Sequence, residues 1–395
     1  MNPRRRREMS EVSIYFFAGD FADVLRRFAE RRGQIYQTHN EVARLVHDYV
    51  QRGVRLNVFS LVTAARKVEE PLPGVRVVSL GSSSYRSQGL LREAVDADGA
   101  DRIVAHFPNP ELLHAVLAKK RVRAMAVLAN SYNRNGVRSQ LERWKIIRQL
   151  NVPRFEWVSN HCIPATRHLA RIGVHPGKLV PWDIPHPYEP SSTPPKALRA
   201  RAPYRVMYAG SVVADKGVTD LIQAMAILRR AGLDGRLGLA GLGDLDQMKA
   251  LARELGVADA LELLGLIGNE EVYRRMRDAD VVAVPSRKMY TEGFPLTMFE
   301  AIASRTPIVC SDHPMFRLNM LDGQSAIVFP SGDPAALARA LERVLRDPAL
   351  YLRLSEHATA TWQSLKGPAD WRTMLVKWGT EDDATDWMRA RVLQG

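Results

Sequence analysis

Short apolar runs rich in β-branched residues recur along the first half of the chain, separated by stretches with helical spacing. Residues 12–18, 56–61, 75–80, 102–105, 124–128 and 155–159 read as strands, and 40–52 and 110–118 as intervening helices. The runs are continuous and do not alternate, which suits strands covered on both faces, so a doubly wound parallel sheet is expected. The stretch Val180-Pro-Trp-Asp-Ile-Pro-His-Pro-Tyr-Glu-Pro-Ser-Ser-Thr-Pro-Pro195 keeps no period and reads as a semi-rigid linker. A second alternating pattern follows, with strands expected at 204–208, 236–240, 260–264, 281–284, 308–310 and 326–329. The expected division is a first domain at 1–183, a proline-rich linker at 184–203 and a second domain at 204–355.

Composition adds little to this except by exclusion. A chain of 395 residues with 46% hydrophobic composition can bury a sizeable core. No apolar run approaches the ~18 residues needed to span a bilayer. The Arg4 to Arg7 cluster precedes too short an apolar run for a secretory signal, so a cytoplasmic location with peripheral membrane contact is expected. Cys162 and Cys310 lie far apart, outside any metal or redox pattern, and read as small buried hydrophobes.

Charge is uneven. Residues 1–198 hold 31 Lys or Arg against 18 Asp or Glu, whereas residues 199–395 hold 25 of each, so the net charge of +13 lies entirely in the first half. A basic bias confined to one half points to an anionic partner of that half, such as a headgroup layer, a lipid diphosphate or an acidic glycan, and away from nucleic acid. A solvated charged face remains the alternative.

The most informative residues are Glu292 and Glu300 in Tyr290-Thr-Glu-Gly-Phe-Pro-Leu-Thr-Met-Phe-Glu-Ala-Ile-Ala. The apolar run before them reads as a buried strand feeding a loop, and Pro295 suits a first helical position. A helix beginning there aims free N–H groups at the loop, where a diphosphate can collect. Glu300 would then accept hydrogen bonds from a ribose and Glu292 from sugar hydroxyls, each contributing ~1.5–3 kcal/mol. Thr297-x-x-Glu300 also fits a capping box in which Glu300 serves only its own helix.

Glu292-Gly-Phe-Pro-Leu to Glu300-Ala, then Thr306-Pro-Ile-Val-Cys-Ser-Asp312, then Asp322-Gly-Gln-Ser-Ala-Ile-Val-Phe-Pro330, resembles in order and spacing the donor-binding half of family 4 (group 1) retaining glycosyltransferases. The resemblance covers most of residues 204–345. It implies a GT-B fold: α/β, two Rossmann-like doubly wound parallel-sheet domains facing across a cleft, with residues 356–395 returning as helices toward the first. Trp362, Trp371, Trp378 and Trp387 read as core packing there.

The resemblance also assigns roles. Lys216, in Lys216-Gly217 after Gly210-Ser211, would contact the phosphates, though a surface lysine beside a helix start is the plainer reading. Gly241-Leu-Gly243 would lie near the donor, although glycine after a strand is ordinary turn chemistry. Leu266 and Ile267 fall in the segment that receives the base, and Gly293, Phe294, Pro295 and Leu296 complete the donor loop. On the acceptor side the implied residues are Gly33, Gln34 and His106; a structural histidine at a strand end is the alternative for His106.

Several positions depart from the family pattern. Ser211 stands near where many relatives carry an arginine, and Arg287 or Lys288 is the nearest substitute in sequence. Asn130 stands where many relatives have histidine; it can hydrogen-bond a sugar hydroxyl but cannot shuttle a proton. Glu292, Lys216 and Asn130 are therefore the candidate catalytic residues. The expected activity is retaining, metal-independent transfer of a hexosyl unit from a UDP- or GDP-sugar to a saccharide or lipid-linked acceptor in envelope or exopolysaccharide synthesis. The nucleotide-sugar is a co-substrate, and no cofactor or metal is expected: Asp96-Ala-Asp98, Asp244-Leu-Asp246 and Asp278-Ala-Asp280 all lie at apparent helix boundaries or turns. Residues 136–150 mix basic and apolar positions in a way that suits anionic lipid or ordinary packing on the sheet. A GT-B epimerase or a non-catalytic GT-B-like partner protein are the competing classes.

Overall fold

The computed structural model describes residues 11–30, 37–84, 89–132, 136–200, 202–381 and 384–394. They form two compact units, one from the described parts of Met1–Asn130, Gly136–Pro185 and Gly367–Gly395, the other from those of Ser131–Asn135 and His186–Lys366. Arg4 to Arg7, Gly33 and Gln34 lie outside the described residues.

The first unit contains β1 (Glu11–Ala18), β2 (Arg55–Val62), β3 (Arg66–Leu72), β4 (Val75–Ser82), β5 (Arg102–His106), β6 (Arg123–Leu128), β7 (Phe155–His161) and β8 (Leu179–Asp183). The second contains β9 (Tyr204–Ala209), β10 (Gly235–Ala240), β11 (Leu261–Gly265), β12 (Val281–Val284), β13 (Ile308–Ser311) and β14 (Ile327–Phe329), and β15 (Ala369–Asp370) rejoins the first.

Among the described residues the first unit forms one sheet in the order β15-β8-β7-β6-β5-β1-β2-β4-β3. Every pairing is parallel except that of β3 with β4. Continuous burial of β5 and near-continuous burial of β6 explain why these strands were visible as unbroken apolar runs. β3, Arg-Lys-Val-Glu-Glu-Pro-Leu, carries no such run because it is a charged edge strand. β8 corrects the reading of the proline-rich stretch, whose first residues, Val180 to Asp183, are buried and paired with β7. Pro181 is tolerated because β15, on the other flank, pairs only with Trp182 and Asp183, so no ladder bond requires the missing N–H there.

The chain's last segment completes this unit. The helix Trp371–Thr380 packs on the helix Gln37–Gln51, where the Tyr49 hydroxyl donates to the Leu375 carbonyl at 2.6 Å. Arg102 donates to the Trp378 carbonyl at 2.9 Å, and Trp378 Nε1 donates to Glu156 at 3.0 Å. Trp371 and Trp378 are buried, as the tryptophan reading requires, while Trp387 is only half-buried beneath the Arg391 guanidinium, 3.9 Å from its ring centroid.

In the second unit the order is β11-β10-β9-β12-β13-β14, again parallel throughout. The helices Val218–Arg230 and Pro334–Arg346 pack together on one face over Leu221, Leu228, Leu237, Leu341 and Val344. The proline-rich stretch after Pro185 is packed into this unit. Its extended backbone leaves carbonyls without ladder partners, and buried side chains meet them or bind it in place. Arg305 donates to the Pro190 carbonyl at 2.7 Å, and Lys196 anchors the stretch by donating to the Arg277 and Ala279 carbonyls at 2.7 and 2.5 Å. Burial pushes the Lys196 ammonium down to about 7. Tyr188 stacks on Tyr273 at 3.7 Å, and Trp362 packs edge-on against Phe299 at 5.3 Å.

Candidate functional site

The second sheet grows outward from β9 in one direction through β10 and β11, and in the other through β12, β13 and β14. Strand order therefore reverses between β9 and β12, and ligands of open parallel sheets sit outside the carboxyl ends of the strands at such a reversal. Lys216 follows β9 and Glu292 follows β12, and across that point Lys216 Nζ meets Glu292 Oε2 at 2.5 Å. Both side chains are mostly buried, with 13% and 9% of their surface exposed.

Local structure explains how they arrive there. Gly217 adopts φ +74°, and a Cβ at that position would lie 2.1 Å from the Pro285 carbonyl oxygen, so only glycine lets the turn carrying Lys216 close onto the end of β12. Gly241, at φ +139°, approaches the Gly210 carbonyl so closely that a Cβ would sit 1.8 Å from it. Gly210, Gly241 and Gly243 thus line backbone-to-backbone contacts, with Gly210 N–H donating to Ala240 and Val212 N–H to Leu242.

Glu292 sits on a turn with several anchors. Its Oε2 also accepts from Ser286 Oγ at 2.9 Å, its N–H donates to the Tyr290 carbonyl at 2.9 Å, and its carbonyl accepts from Ser131 Oγ. Oε1 has no hydrogen-bond partner among the described residues and is the atom available to a ligand hydroxyl. The Lys216 ammonium additionally lies 4.6 Å from the Tyr290 ring centroid. Burial, then the Glu292 charge, pushes the Tyr290 and Tyr208 phenols up.

The helix Leu296–Ala303 begins after Pro295, which is the N-cap and not the first helical residue. No side chain caps this end, so its leading amides face the loop. Thr297 is the second helical residue and not the N-cap, so it forms no capping box with Glu300, which lies more than one turn in. Its carboxylate makes no hydrogen bond or ion pair among the described residues, and burial pushes it up to about 7. The residue keeps some surface exposure while the carboxyl itself is shielded, and the shielding governs its ionisation.

Residues 193–361 match glycosyl transferases group 1. The chain carries this group 1 region in its second unit. Among curated relatives, phosphatidyl-myo-inositol mannosyltransferase of Mycobacterium leprae is 34% identical over 135 residues, 34% of this chain and 35% of that protein. The chain spans about a third to a half of the length of the curated relatives it matches. Sucrose-phosphate synthase from Thermosynechococcus elongatus is similar in structure, with a TM-score of 0.65 and 20% identity, covering 94% of this chain and 97% of that one. HepE of Anabaena in complex with UDP and glucose gives 0.60 and 15%, covering 96% and 99%. The two Rossmann-like sheets are those of the GT-B fold.

Within the group 1 region the structure brings together the carboxyl ends of β9 to β12, hence Gly210, Ser211, Lys216, Gly241, Gly243, Leu266, Ile267 and Glu292 to Leu296. Leu266 is 51% exposed, and Leu242, between the paired glycines, is 56% exposed. Two proposed substitutes for the missing arginine are engaged elsewhere. Arg287 forms a bidentate pair with buried Asp220 at 2.6 and 3.0 Å, and Lys288 pairs with Asp312 at 2.7 Å.

In the first unit, Asn130 follows β6 and carries a buried Oδ1 without a partner among the described residues, while its carbonyl accepts from Asn160. His106 ends β5 among the rings of Phe16 and Phe107, at 4.5 and 4.3 Å, with Nδ1 unpartnered among the described residues, and burial holds it down to about 3. It is therefore neutral. Asp98 accepts from Ser13, Tyr15 and the Ala100 N–H, and Asp280 accepts from Arg199 and the Arg205 N–H, so both carboxylates are committed to structure. Sequence reading missed Ser286, Tyr290 and His313; the one signal for His313 was its place before Pro314, as a helix cap.

Proposed function

We propose that this chain is a family 4 retaining glycosyltransferase that moves a hexosyl unit from a UDP- or GDP-sugar to a saccharide or lipid-linked acceptor. The carrying observation is the Lys216–Glu292 pair at the strand-order reversal, a cation and a hydroxyl acceptor side by side beside uncapped helix amides. The diphosphate would take Lys216 and the Leu296–Ala303 amides, the ribose Glu300, and the sugar Glu292 Oε1. HepE, a structural neighbour, binds UDP and glucose, which supports a nucleotide-sugar here.

In the proposed reaction the bond from the anomeric carbon to the phosphate oxygen breaks and its electron pair stays with the diphosphate. Lys216 and the helix amides stabilise that charge. The acceptor oxygen bonds the same face of the carbon, and its proton passes to a phosphate oxygen, which retains configuration. No carboxylate pair is needed, in contrast to most glycoside hydrolases. The proposal is metal-independent because Lys216 and the amides supply the positive charge. Asn130 Oδ1 would accept from a sugar hydroxyl, with His106 beside the acceptor.

The acceptor side would lie against an anionic membrane surface on the cytoplasmic face. The helix Val137–Leu150 buries Ile146 and Leu150 but exposes Val137, Leu141 and Trp144 at 76%, 55% and 53%, one stripe at helical spacing. Arg148 stacks over Trp144 at 4.6 Å, and Arg138 and Lys145 flank the stripe. Among the described residues no helix is long and apolar enough to cross a membrane. Envelope or exopolysaccharide synthesis is the proposed setting.

The test is incubation with a panel of UDP-, GDP- and ADP-sugars, following nucleotide release and the sugar recovered. Release with an acceptor-linked α-configured product from an α-donor supports the proposal. Recovery of an epimer indicates an epimerase, and no release from any donor indicates a non-catalytic role.

A further inference from the structure

We propose that His313 is a positioning residue for Glu292, holding the turn that presents its carboxylate; the inference rests on the transfer reaction proposed above. His313 is fully buried and caps the short helix Pro314–Arg317. Its Nδ1 accepts the Met315 N–H at 3.2 Å, which leaves the ring proton on Nε2. Nε2 then donates to the Tyr290 carbonyl at 3.0 Å. That same carbonyl accepts the Glu292 N–H, so the imidazole fixes the oxygen on which the Glu292 backbone hangs.

A second contact from the same side fixes the carboxylate. Ser311 Oγ donates to the Ser286 carbonyl at 2.6 Å, and Ser286 Oγ donates to Glu292 Oε2. The end of β13 and the residues after it therefore hold Glu292 at two points, backbone and side chain, while Oε1 stays open. Protonation of the ring would place a second proton on Nδ1 and abolish the Met315 contact. Burial holds the ring neutral, which keeps both contacts formed.

Two substitutions separate positioning from helix capping, because each keeps one of the two ring contacts. His313→Asn places an amide oxygen where Nδ1 was and keeps the cap, but it cannot reach Tyr290. His313→Gln places an amide nitrogen near Nε2 and keeps the Tyr290 contact, but it loses the cap.

Steady-state donor turnover and thermal melting are measured on both full-length variants. His313→Asn is expected to lower kcat about tenfold or more with KM little changed, since misplacement by ~1 Å can cost ~100-fold. Its melting temperature stays near the wild type. His313→Gln is expected to recover most of the turnover while melting lower. The proposal is overturned if His313→Asn turns over like wild type, or if turnover follows melting temperature in both variants. Should the wild-type chain release no nucleotide, the transfer reading fails by itself. The positioning claim is then read from a crystal structure of His313→Asn, which must show the Tyr290–Glu292 turn displaced and overturns the claim if the turn has not moved.

Discussion

Replacing Glu292 with glutamine should tighten binding of a free nucleoside diphosphate while abolishing transfer. Lys216 Nζ is 2.5 Å from Glu292 Oε2, so an incoming phosphate competes with an acid already in contact with its cation. A phosphate oxygen hydrogen-bonded to the same ammonium at ~2.8 Å would lie roughly 5 Å from the carboxylate. Two unit charges at that separation repel by about 3 kcal/mol at an effective dielectric near 20. Salt screening reduces this to about 1.5 kcal/mol, or about tenfold in affinity. Glutamine removes the repulsion and keeps a neutral acceptor for Ser286, and the Tyr290 ring still faces Lys216. Calorimetric titration of UDP and GDP into wild type and Glu292→Gln measures the difference. Unchanged or weaker binding would refute the placement of the diphosphate on Lys216. Turnover intact in the variant would refute the role of Glu292.

Three more outcomes follow from the same geometry. Glu300 titrates at about 7 when folded, against 4.5 for an ordinary solvated glutamate, so the folded protein favours the protonated form. The resulting cost grows as pH rises from about 4.5 to 7 and reaches at most about 3 kcal/mol. Glu300→Gln should therefore melt higher than wild type at pH 8 and equally at pH 4. Wild-type nucleotide affinity should rise between pH 6 and 8 but stay flat in the variant, as titrations at both pH values would show. Gly241→Ala should destabilise the second unit by about 3 kcal/mol or more, read by urea denaturation, because its Cβ would meet the Gly210 oxygen at 1.8 Å. Leu141→Glu with Trp144→Glu should abolish flotation with anionic vesicles and leave the melting temperature unchanged, since both residues face solvent.

What the sequence showed, and what it concealed, follows from the range of each interaction. Strands covered on both faces announced themselves as apolar runs, and glycines forced by close backbone contact marked the turns beyond β9 and β10. Glu292 and Lys216 were legible because their neighbours in sequence set up a strand end and a helix start. β3 was concealed because an edge strand carries charge, and β8 because Pro181 looked like a break. Contacts between distant segments were invisible in principle. Arg287 looked free until Asp220 appeared beside it, and nothing local connects His313 to the carbonyl of Tyr290.

β15 joins a sheet whose other strands all end at or before Asp183, far upstream of Ala369, and the helix after it packs on the same unit. During synthesis the N-terminal lobe must wait, with the place of Trp378 empty and the Tyr49 hydroxyl without its Leu375 partner, until residues 367–394 leave the ribosome. Fragments ending at residue 185 should behave as sticky, aggregating intermediates, and supplying a peptide of residues 367–395 in trans should rescue their solubility.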